Sequence, residues 1–236
     1  MKRGAVETLA APGHPGHHSA MPERDPLESF LSIEPGRVAV VLVDFQNDSC
    51  APGAFGVEPP NNRANAATAR RANEFAHTAI GYGTKVIYTR QMNDHSRLNE
   101  RQRRWERQSK ACLMSPQGRN LFIEPVSGGV VVDKARFDVW QSATFRDVLQ
   151  SSKIDGLVIG GVDLSWCVLY AVLGAAERGY DYVVPQDLIS GLDTCAKTST
   201  RAVREYLRLV HPSLESSSTL LRHWAATDRA ERARGA

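Results

Sequence analysis

The sequence predicts a single α/β domain on the basis of two observations. Short apolar runs such as Val38–Val43 and residues 157–159 are typical of strands that are buried on both faces of a parallel sheet. These runs alternate with longer segments of helical pattern, which is the arrangement expected of an α/β fold. The 236 residues, of which 42% are hydrophobic, are enough to bury a substantial core.

The predicted elements begin with the strand at 38–43, whose six residues are all apolar, and alternate from there along the chain. The predicted strands cover residues 38–43, 85–89, 129–132, 156–160 and 181–185. The predicted helices cover residues 62–80, 142–151, 167–179 and 194–209. A long loop separates the second strand from the third, and no internal repeat is present.

The folded domain is expected to span residues 36–212. Residues 1–35 are rich in Pro, Gly, His and Ala and have no sustained periodicity before Pro26, so they are predicted to form a flexible arm. Residues 213–236 form a C-terminal extension that is expected to add an edge strand or a helix. The apolar side chains of Leu220, Leu221 and Trp224 in this extension fit an oligomer contact.

Composition argues against several classes of protein. The four cysteines are widely scattered, so neither a zinc site nor a disulfide framework is expected, and a reducing, cytoplasmic compartment is favoured. No apolar stretch follows Lys2 and Arg3, and no run of about 18 apolar residues occurs, so we expect neither a secretory signal nor a membrane contact. The net charge of +3, without a base-reading motif, argues against nucleic acid as a partner.

Three candidate catalytic residues stand at the ends of predicted strands. Asp44 is the first polar residue after the apolar run, Lys134 ends a second strand, and Cys167 stands where a third strand turns into a helix. Ligands of open parallel sheets bind beyond the carboxyl ends of the strands. A thiol near the positive end of a helix dipole is also favoured as thiolate. The pattern is therefore compatible with a base, a cation and a nucleophile, or with three unrelated strand ends and a cysteine that only fills space.

Three motifs resemble those of the isochorismatase-like cysteine hydrolases, a superfamily that includes nicotinamidases, N-carbamoylsarcosine amidases, ureidoacrylate amidohydrolases and biuret hydrolases. The first is Asp44-Phe45-Gln46-Asn47-Asp48. The second is Lys134 followed by Phe137 and by Ser142-Ala143-Thr144-Phe145, and the third is Gly161-Val162 followed by Cys167-Val168. The resemblance covers residues 37–211 and implies a three-layer α/β/α fold with a central, mostly parallel six-stranded sheet of Rossmann-like type.

The resemblance also implies a mechanism. Asp44 would act as base, Lys134 as positioning cation and Cys167 as the nucleophile that forms a thioester. The backbone N–H groups of Asp163 and Cys167 would form the oxyanion hole, next to a cis peptide between Val162 and Asp163. Family members are usually dimers or tetramers and bind a small-molecule substrate, so a homo-oligomer is expected.

The chain departs from the family pattern at two places. Asp163 and Leu164 stand where relatives have a small residue and a threonine, and the Asp163 carboxylate would disfavour anionic substrates unless Arg136 or Arg90 neutralises it. Nicotinamidases carry an Asp-x-His metal pair after the second strand, whereas this chain has Gln91-Met92-Asn93. Neither a metal nor another cofactor is therefore expected.

Seven side chains are candidates for contact with the substrate: Gln46, Phe55, Arg90, Trp105, Phe137, Trp140 and Trp166. Trp166 fits equally a role in packing at the start of the helix. The basic segment 97–110 is either a lid that recognises the substrate through its arginines or a solvated helix.

The leading hypothesis is a metal-independent cysteine hydrolase that cleaves a linear C–N bond in a small amide, carbamoyl or ureido compound. One alternative is an isochorismatase-type vinyl ether hydrolase, although relatives with that activity generally lack the cysteine. The other is a non-catalytic binding protein that retains the fold, which only the altered Asp163-Leu164 pair supports.

Overall fold

The computed structural model describes residues 25–52, 61–93, 96, 98–109, 116–191 and 197–234. Within them, six strands form one parallel sheet in the order β3-β2-β1-β4-β5-β6. The strands are β1 (Val38–Val43), β2 (Lys85–Gln91), β3 (Val130–Lys134), β4 (Gly156–Gly161), β5 (Asp181–Pro185) and β6 (Ser213–Leu214). The predicted α/β class and the six-stranded sheet are confirmed, and every strand pair is parallel.

Eight helices accompany the sheet in the described part of the chain. They are α1 (Pro26–Leu31), α2 (Asn47–Cys50), α3 (Asn61–Ala79), α4 (Glu100–Ser109), α5 (Ala143–Ser151), α6 (Leu169–Ala176), α7 (Lys197–Val210) and α8 (Ser218–Arg234). A π-helical turn, Leu164–Val168, precedes α6 directly. None of the described helices is long and apolar enough to cross a membrane.

The sheet separates two hydrophobic cores because side chains alternate between its faces along each strand. On β1, Val40 and Leu42 pack beneath α1, α3 and α8, whereas Val41 and Val43 pack beneath α5, α6 and α7. All six residues of β1 are buried, as expected for a strand that is covered on both faces. The three-layer arrangement therefore places β1 and β4 at the centre of the molecule.

Residues near both ends of the described chain belong to the core rather than to appendages. Phe30 on α1 is buried in the core beneath α3, so the predicted flexible arm 1–35 extends too far at its C-terminal end. Residues 1–24 lie outside the described residues. The C-terminal segment forms both an edge strand and a helix. Its Leu220 is buried in the core, and its Trp224 packs on Phe75 and Tyr82. These apolar side chains fill the core of their own chain instead of the predicted oligomer contact.

Two predicted elements differ from the structure. The helix predicted at 167–179 begins earlier, in the π-helical turn, and its regular part ends at Ala176. The long loop after β2 contains α4. Asn99 and Gln102 cap this helix reciprocally, since each side-chain oxygen accepts from the other residue's backbone N–H at 2.9 Å.

Candidate active site

Three strand ends converge at the carboxyl edge of the sheet. Asp44 follows β1 directly, Lys134 is the last residue of β3, and Cys167 lies in the turn after β4. Asp44 has a positive φ of 51°, which breaks the strand alternation at this point. Although β3 and β4 are not neighbours, the long Lys134 side chain reaches across β2 and β1 to bring the three groups together.

Lys134 is the centre of the cluster. Its Nζ lies 2.7 Å from Asp44 Oδ2, donates to the Arg136 carbonyl at 2.6 Å and lies 3.5 Å from Cys167 Sγ. Burial alone would lower the pKa of Lys134, but the Asp44 carboxylate and the hydrogen bonds to Asp44 and Cys167 raise this pKa above its ordinary value of 10.5. Because all three ammonium protons have acceptors, Lys134 is held as a cation.

The Asp44 carboxylate has a second partner that the sequence analysis missed. Thr89 Oγ1 donates to Asp44 Oδ1 at 2.6 Å and accepts from the Asp44 backbone N–H at 3.2 Å. Thr89 is fully buried in β2, the neighbour of β1. The carboxylate is therefore fixed from two sides, by a hydroxyl and by an ammonium group.

The Cys167 thiol is protonated at rest. It donates to Gln91 Oε1 at 3.3 Å and is only 5% exposed. Burial raises the pKa of Cys167 well above its ordinary value of 9.0; Lys134 opposes this rise and Asp44 adds to it. Burial thus opposes the stabilisation of the thiolate that is expected at the start of a helix.

The turn between β4 and Cys167 has the cis peptide that the resemblance implies, between Val162 and Asp163. Asp163 is the N-terminal cap of the turn, since its Oδ1 accepts from the Ser165 N–H at 2.8 Å. The segment after β5 fixes the turn from the other side. Ser190 donates its N–H to Gly161 O at 3.0 Å and accepts from the Leu164 N–H at 2.9 Å.

Gln46 has a structural role rather than the predicted contact with the substrate. It is fully buried, and its Oε1 accepts from the Gln91 N–H at 2.9 Å while its Nε2 donates to Gln91 O at 3.0 Å. Its Nε2 also donates to Arg119 O at 2.8 Å. Both ends of the Gln46 amide are therefore engaged with the backbone.

Two further predicted contact residues lie away from the cluster. Arg90 is on the opposite face of β2 from Thr89 and Gln91, and it donates twice to the Asp133 carboxylate, at 2.7 and 3.0 Å. Trp140 is buried beneath α6, where its Nε1 donates to Ala171 O at 3.0 Å and its ring packs edge-on against Phe145. Both predictions fail because the side chains are used elsewhere in the fold.

Phe137 and Trp166, two of the remaining aromatic candidates, form a group with Tyr170, and Trp166 directly precedes the nucleophile in the chain. The Phe137 ring lies 5.0 Å from the Trp166 ring and 6.3 Å from the Tyr170 ring, and the Arg136 guanidinium lies over Phe137. Trp166 is 42% exposed, so it is not a core residue. Phe55 lies outside the described residues, as does the side chain of Trp105.

The described residues contain no group of three or more His, Cys, Asp or Glu side chains that could hold a metal ion. In the place where nicotinamidases carry metal ligands, Gln91 Nε2 donates to Asn93 Oδ1 at 2.7 Å. Asn93 adopts a positive φ of 47°, a conformation that asparagine tolerates better than most residues. The basic segment is helical over α4, and its predicted role as a lid remains a prediction.

Comparison with known proteins agrees with this architecture. Residues 38–210 match the family model of the isochorismatase domain. A stretch of 67 residues is 30% identical to an N-carbamoylsarcosine amidase of Arthrobacter sp., a match that covers 28% of this chain and only 25% of that protein.

Two solved structures show the same fold at low sequence identity. A cysteine hydrolase of Pseudomonas syringae pv. phaseolicola is 18% identical, with a TM-score of 0.68 over 82% of this chain and 95% of that chain. The N-carbamoylsarcosine amidase of Thermoplasma acidophilum is also 18% identical, with a TM-score of 0.60 over 77% and 96%. By its family match over most of its length, the chain belongs to the isochorismatase family.

Proposed function

We propose that this protein is a cysteine hydrolase that cleaves a linear C–N bond in a small amide, carbamoyl or ureido compound. The observation that carries the proposal is the buried contact of a thiol, an ammonium and a carboxylate at Cys167, Lys134 and Asp44. Buried charges are expensive unless they are paired, and a thiol placed against such a pair is in the setting of an activated nucleophile. The amidase relatives support the same type of bond.

In the first step, the Asp44 carboxylate takes the thiol proton as sulfur bonds to the substrate's carbonyl carbon. The carbonyl π electrons move to oxygen, and the backbone N–H groups of Asp163 and Cys167 are the proposed donors to this oxyanion. In this proposal proton transfer accompanies the attack, since burial raises the pKa of Cys167 and disfavours a free thiolate. Lys134 remains protonated and offsets the negative charge that develops nearby.

In the second step, the C–N bond breaks and the amine or ammonia leaves with the proton that Asp44 carries. The acyl group stays on Cys167 as a thioester. Asp44 then takes a proton from water as the water oxygen attacks the thioester. The C–S bond breaks, the acid product leaves, and the proton returns to the sulfur.

The aromatic group beside Cys167 supplies the remaining proposed contacts. Phe137 and Trp166 would form an apolar wall for the acyl part of the substrate, next to the Arg136 guanidinium. Hydrolysis of a vinyl ether does not require a nucleophilic sulfur. The presence of the thiol therefore favours cleavage of a C–N bond over vinyl ether hydrolysis.

Release of amine or ammonia from a panel of primary amides, carbamoyl amino acids and ureido acids tests the proposal. The panel compares the native protein with Cys167→Ala and Asp44→Asn, and with Cys50→Ala as the matched control, because Cys50 is a second buried cysteine outside the cluster. We expect both site variants to lose at least about 10³-fold in kcat, as removal of a nucleophile or its base does in other hydrolases. Full activity of Cys167→Ala, or no turnover of any compound by the native protein, would contradict the mechanism.

A further inference from the structure

We propose that Gln91 selects the substrate by accepting a hydrogen bond from the nitrogen of the bond to be cleaved. The site would then prefer C–N bonds whose nitrogen carries hydrogen, as in primary and secondary amides and in ureido and carbamoyl groups. Esters and fully substituted amides would be poor substrates. This inference rests on the proposed function and adds a specificity-determining residue to it.

The Gln91 side chain contacts the reacting atom directly. Its Oε1 lies 3.3 Å from Cys167 Sγ and accepts a hydrogen bond from the thiol. The residue is only 5% exposed. Its Nε2 donates to Asn93 Oδ1 at 2.7 Å, and this bond fixes which end of the amide faces the sulfur. The acceptor end therefore lies in contact with the sulfur that the substrate's carbonyl carbon must approach.

The backbone of Gln91 is also held in place. Gln46 engages both its N–H and its C=O, as the backbone of a neighbouring strand would. On the other side, Gln91 pairs in register with Lys134, whose carbonyl accepts from the Met92 N–H at 2.8 Å. Such preorganisation allows a single hydrogen bond to discriminate between substrates.

In the first step of the reaction, the Gln91 Oε1 acceptor becomes available for a new hydrogen bond. When the thiol proton moves to Asp44, Gln91 Oε1 loses its donor while it remains buried. The carbonyl carbon lies roughly 3 to 3.5 Å from the sulfur in a reactive complex, so the attached nitrogen is within reach of the same oxygen. An N–H group restores the lost hydrogen bond, whereas an ester oxygen leaves Oε1 unpaired, and that difference favours the amide.

A matched pair of chromogenic probes tests this preference. p-Nitroacetanilide and p-nitrophenyl acetate share an acyl group and an aryl leaving group and differ in the N–H. We expect Gln91→Met, which keeps nearly the same volume but removes the oxygen, to lower the ratio of kcat/KM for the anilide to kcat/KM for the ester about tenfold, because any effect on the thiol itself cancels in this ratio. Gln91→Glu retains an acceptor and should restore part of the preference. Gln141→Leu, a change of an exposed glutamine, is the control and should alter neither value.

Equal loss on both probes, no loss on either, or cleavage of the ester alone by the native protein would overturn the role of Gln91. Failure of the native protein to form any Cys167 adduct with either probe would instead count against the proposed function.

A second measurement, which needs no substrate, tests whether Gln91 acts on the thiol. This measurement is the pH midpoint of Cys167 alkylation by iodoacetamide. A neutral thiol loses its acceptor in Gln91→Met, so the midpoint should fall, and a carboxylate in Gln91→Glu should raise it. An unchanged midpoint in both variants would contradict the contact.

Discussion

At the scale of single residues, the site depends on a buried ion pair whose two charges are each held by further groups. Lys134 and Asp44 are almost completely buried, and a charge at that depth is unfavourable without a partner. Lys134 has three acceptors, and Asp44 has a hydroxyl donor in Thr89. The position of the Asp44 carboxylate and the charge of Lys134 are therefore fixed before a substrate arrives.

Replacement of Thr89 by valine tests the support of the Asp44 carboxylate. Valine has nearly the same shape but leaves Asp44 Oδ1 and the Asp44 N–H without their partner. We expect kcat/KM for amide hydrolysis to fall by about tenfold or more, and the free energy of unfolding to fall by about 1 to 3 kcal/mol. Steady-state kinetics and urea denaturation measure the two effects. Native kinetics in Thr89→Val would show that this hydrogen bond does not position the base.

Thiol labelling tests the protonation state of Cys167. Because its pKa is raised, the thiolate is a small fraction at neutral pH, so alkylation should be slow there and should rise about tenfold per pH unit below the pKa. Burial also raises the pKa of Cys50, to about 12, so Cys50 should label slowly at neutral pH as well. Peptide mass mapping after timed exposure to iodoacetamide gives the rate at each site. Fast labelling of Cys167 at pH 7, independent of pH, would mean that the resting sulfur is a thiolate.

The sequence predicts the three charged or nucleophilic residues but not their partners. Asp44, Lys134 and Cys167 stand at ends of apolar runs, where a polar residue is conspicuous. Thr89 and Gln91 alternate within one strand. Their partners directly follow β1 and lie in the turn after β4, so only the sheet order identifies them. The signal that could have identified Thr89 and Gln91 is the presence of polar residues on a strand that is otherwise largely buried.

At the scale of elements, the junction of β4 and the π-helical turn determines where the nucleophile lies. Gly161 has a positive φ of 142°, and a Cβ at this position would lie 2.3 Å from the Val43 carbonyl oxygen. Ser190 hydrogen-bonds both ends of the junction, at Gly161 and Leu164. Sequence patterns placed a helix start at Cys167 because neither a π-helical turn nor the Asp163 cap has a clear hydrophobic period.

Gly161→Ala is expected to disrupt this junction. The added methyl group must push β4 away from β1, since the atom that it meets belongs to the backbone. We expect loss of hydrolysis together with a lower melting temperature, as measured by amine release and by circular dichroism. Gly179→Ala is the matched control, because Gly179 also has a positive φ but open space around it. If both variants behave alike, strain in the backbone rather than the close contact explains the effect.

At the scale of the whole molecule, the C-terminal segment completes the fold. β6 extends the sheet at its edge, and α8 covers the core on the side of α3. The apolar residues of this segment were predicted to fit an oligomer contact, because the sequence does not distinguish a contact within the chain from one between chains: burial has the same pattern in both. The homo-oligomer stays a prediction.

Trp224→Ala tests whether α8 belongs to the core. Trp224 is 2% exposed and packs on Phe75 and Tyr82. Its truncation should lower the free energy of unfolding by about 3 to 5 kcal/mol, at every protein concentration. Chemical denaturation measures this change, with Arg232→Ala as a control on the exposed face of the same helix. A loss of stability that depends on protein concentration would indicate an interface between chains instead.

Intact-protein mass spectrometry of the native chain and of Cys167→Ala, after exposure to the panel of amides, carbamoyl amino acids and ureido acids, tests the central claim most directly. The proposed mechanism requires an acyl adduct on Cys167 that appears only with a substrate, disappears as the substrate is consumed, and is absent from the variant. The mass added would identify the acyl group. Turnover of a compound without any adduct, or an adduct that persists in Cys167→Ala, would contradict a covalent role for this cysteine.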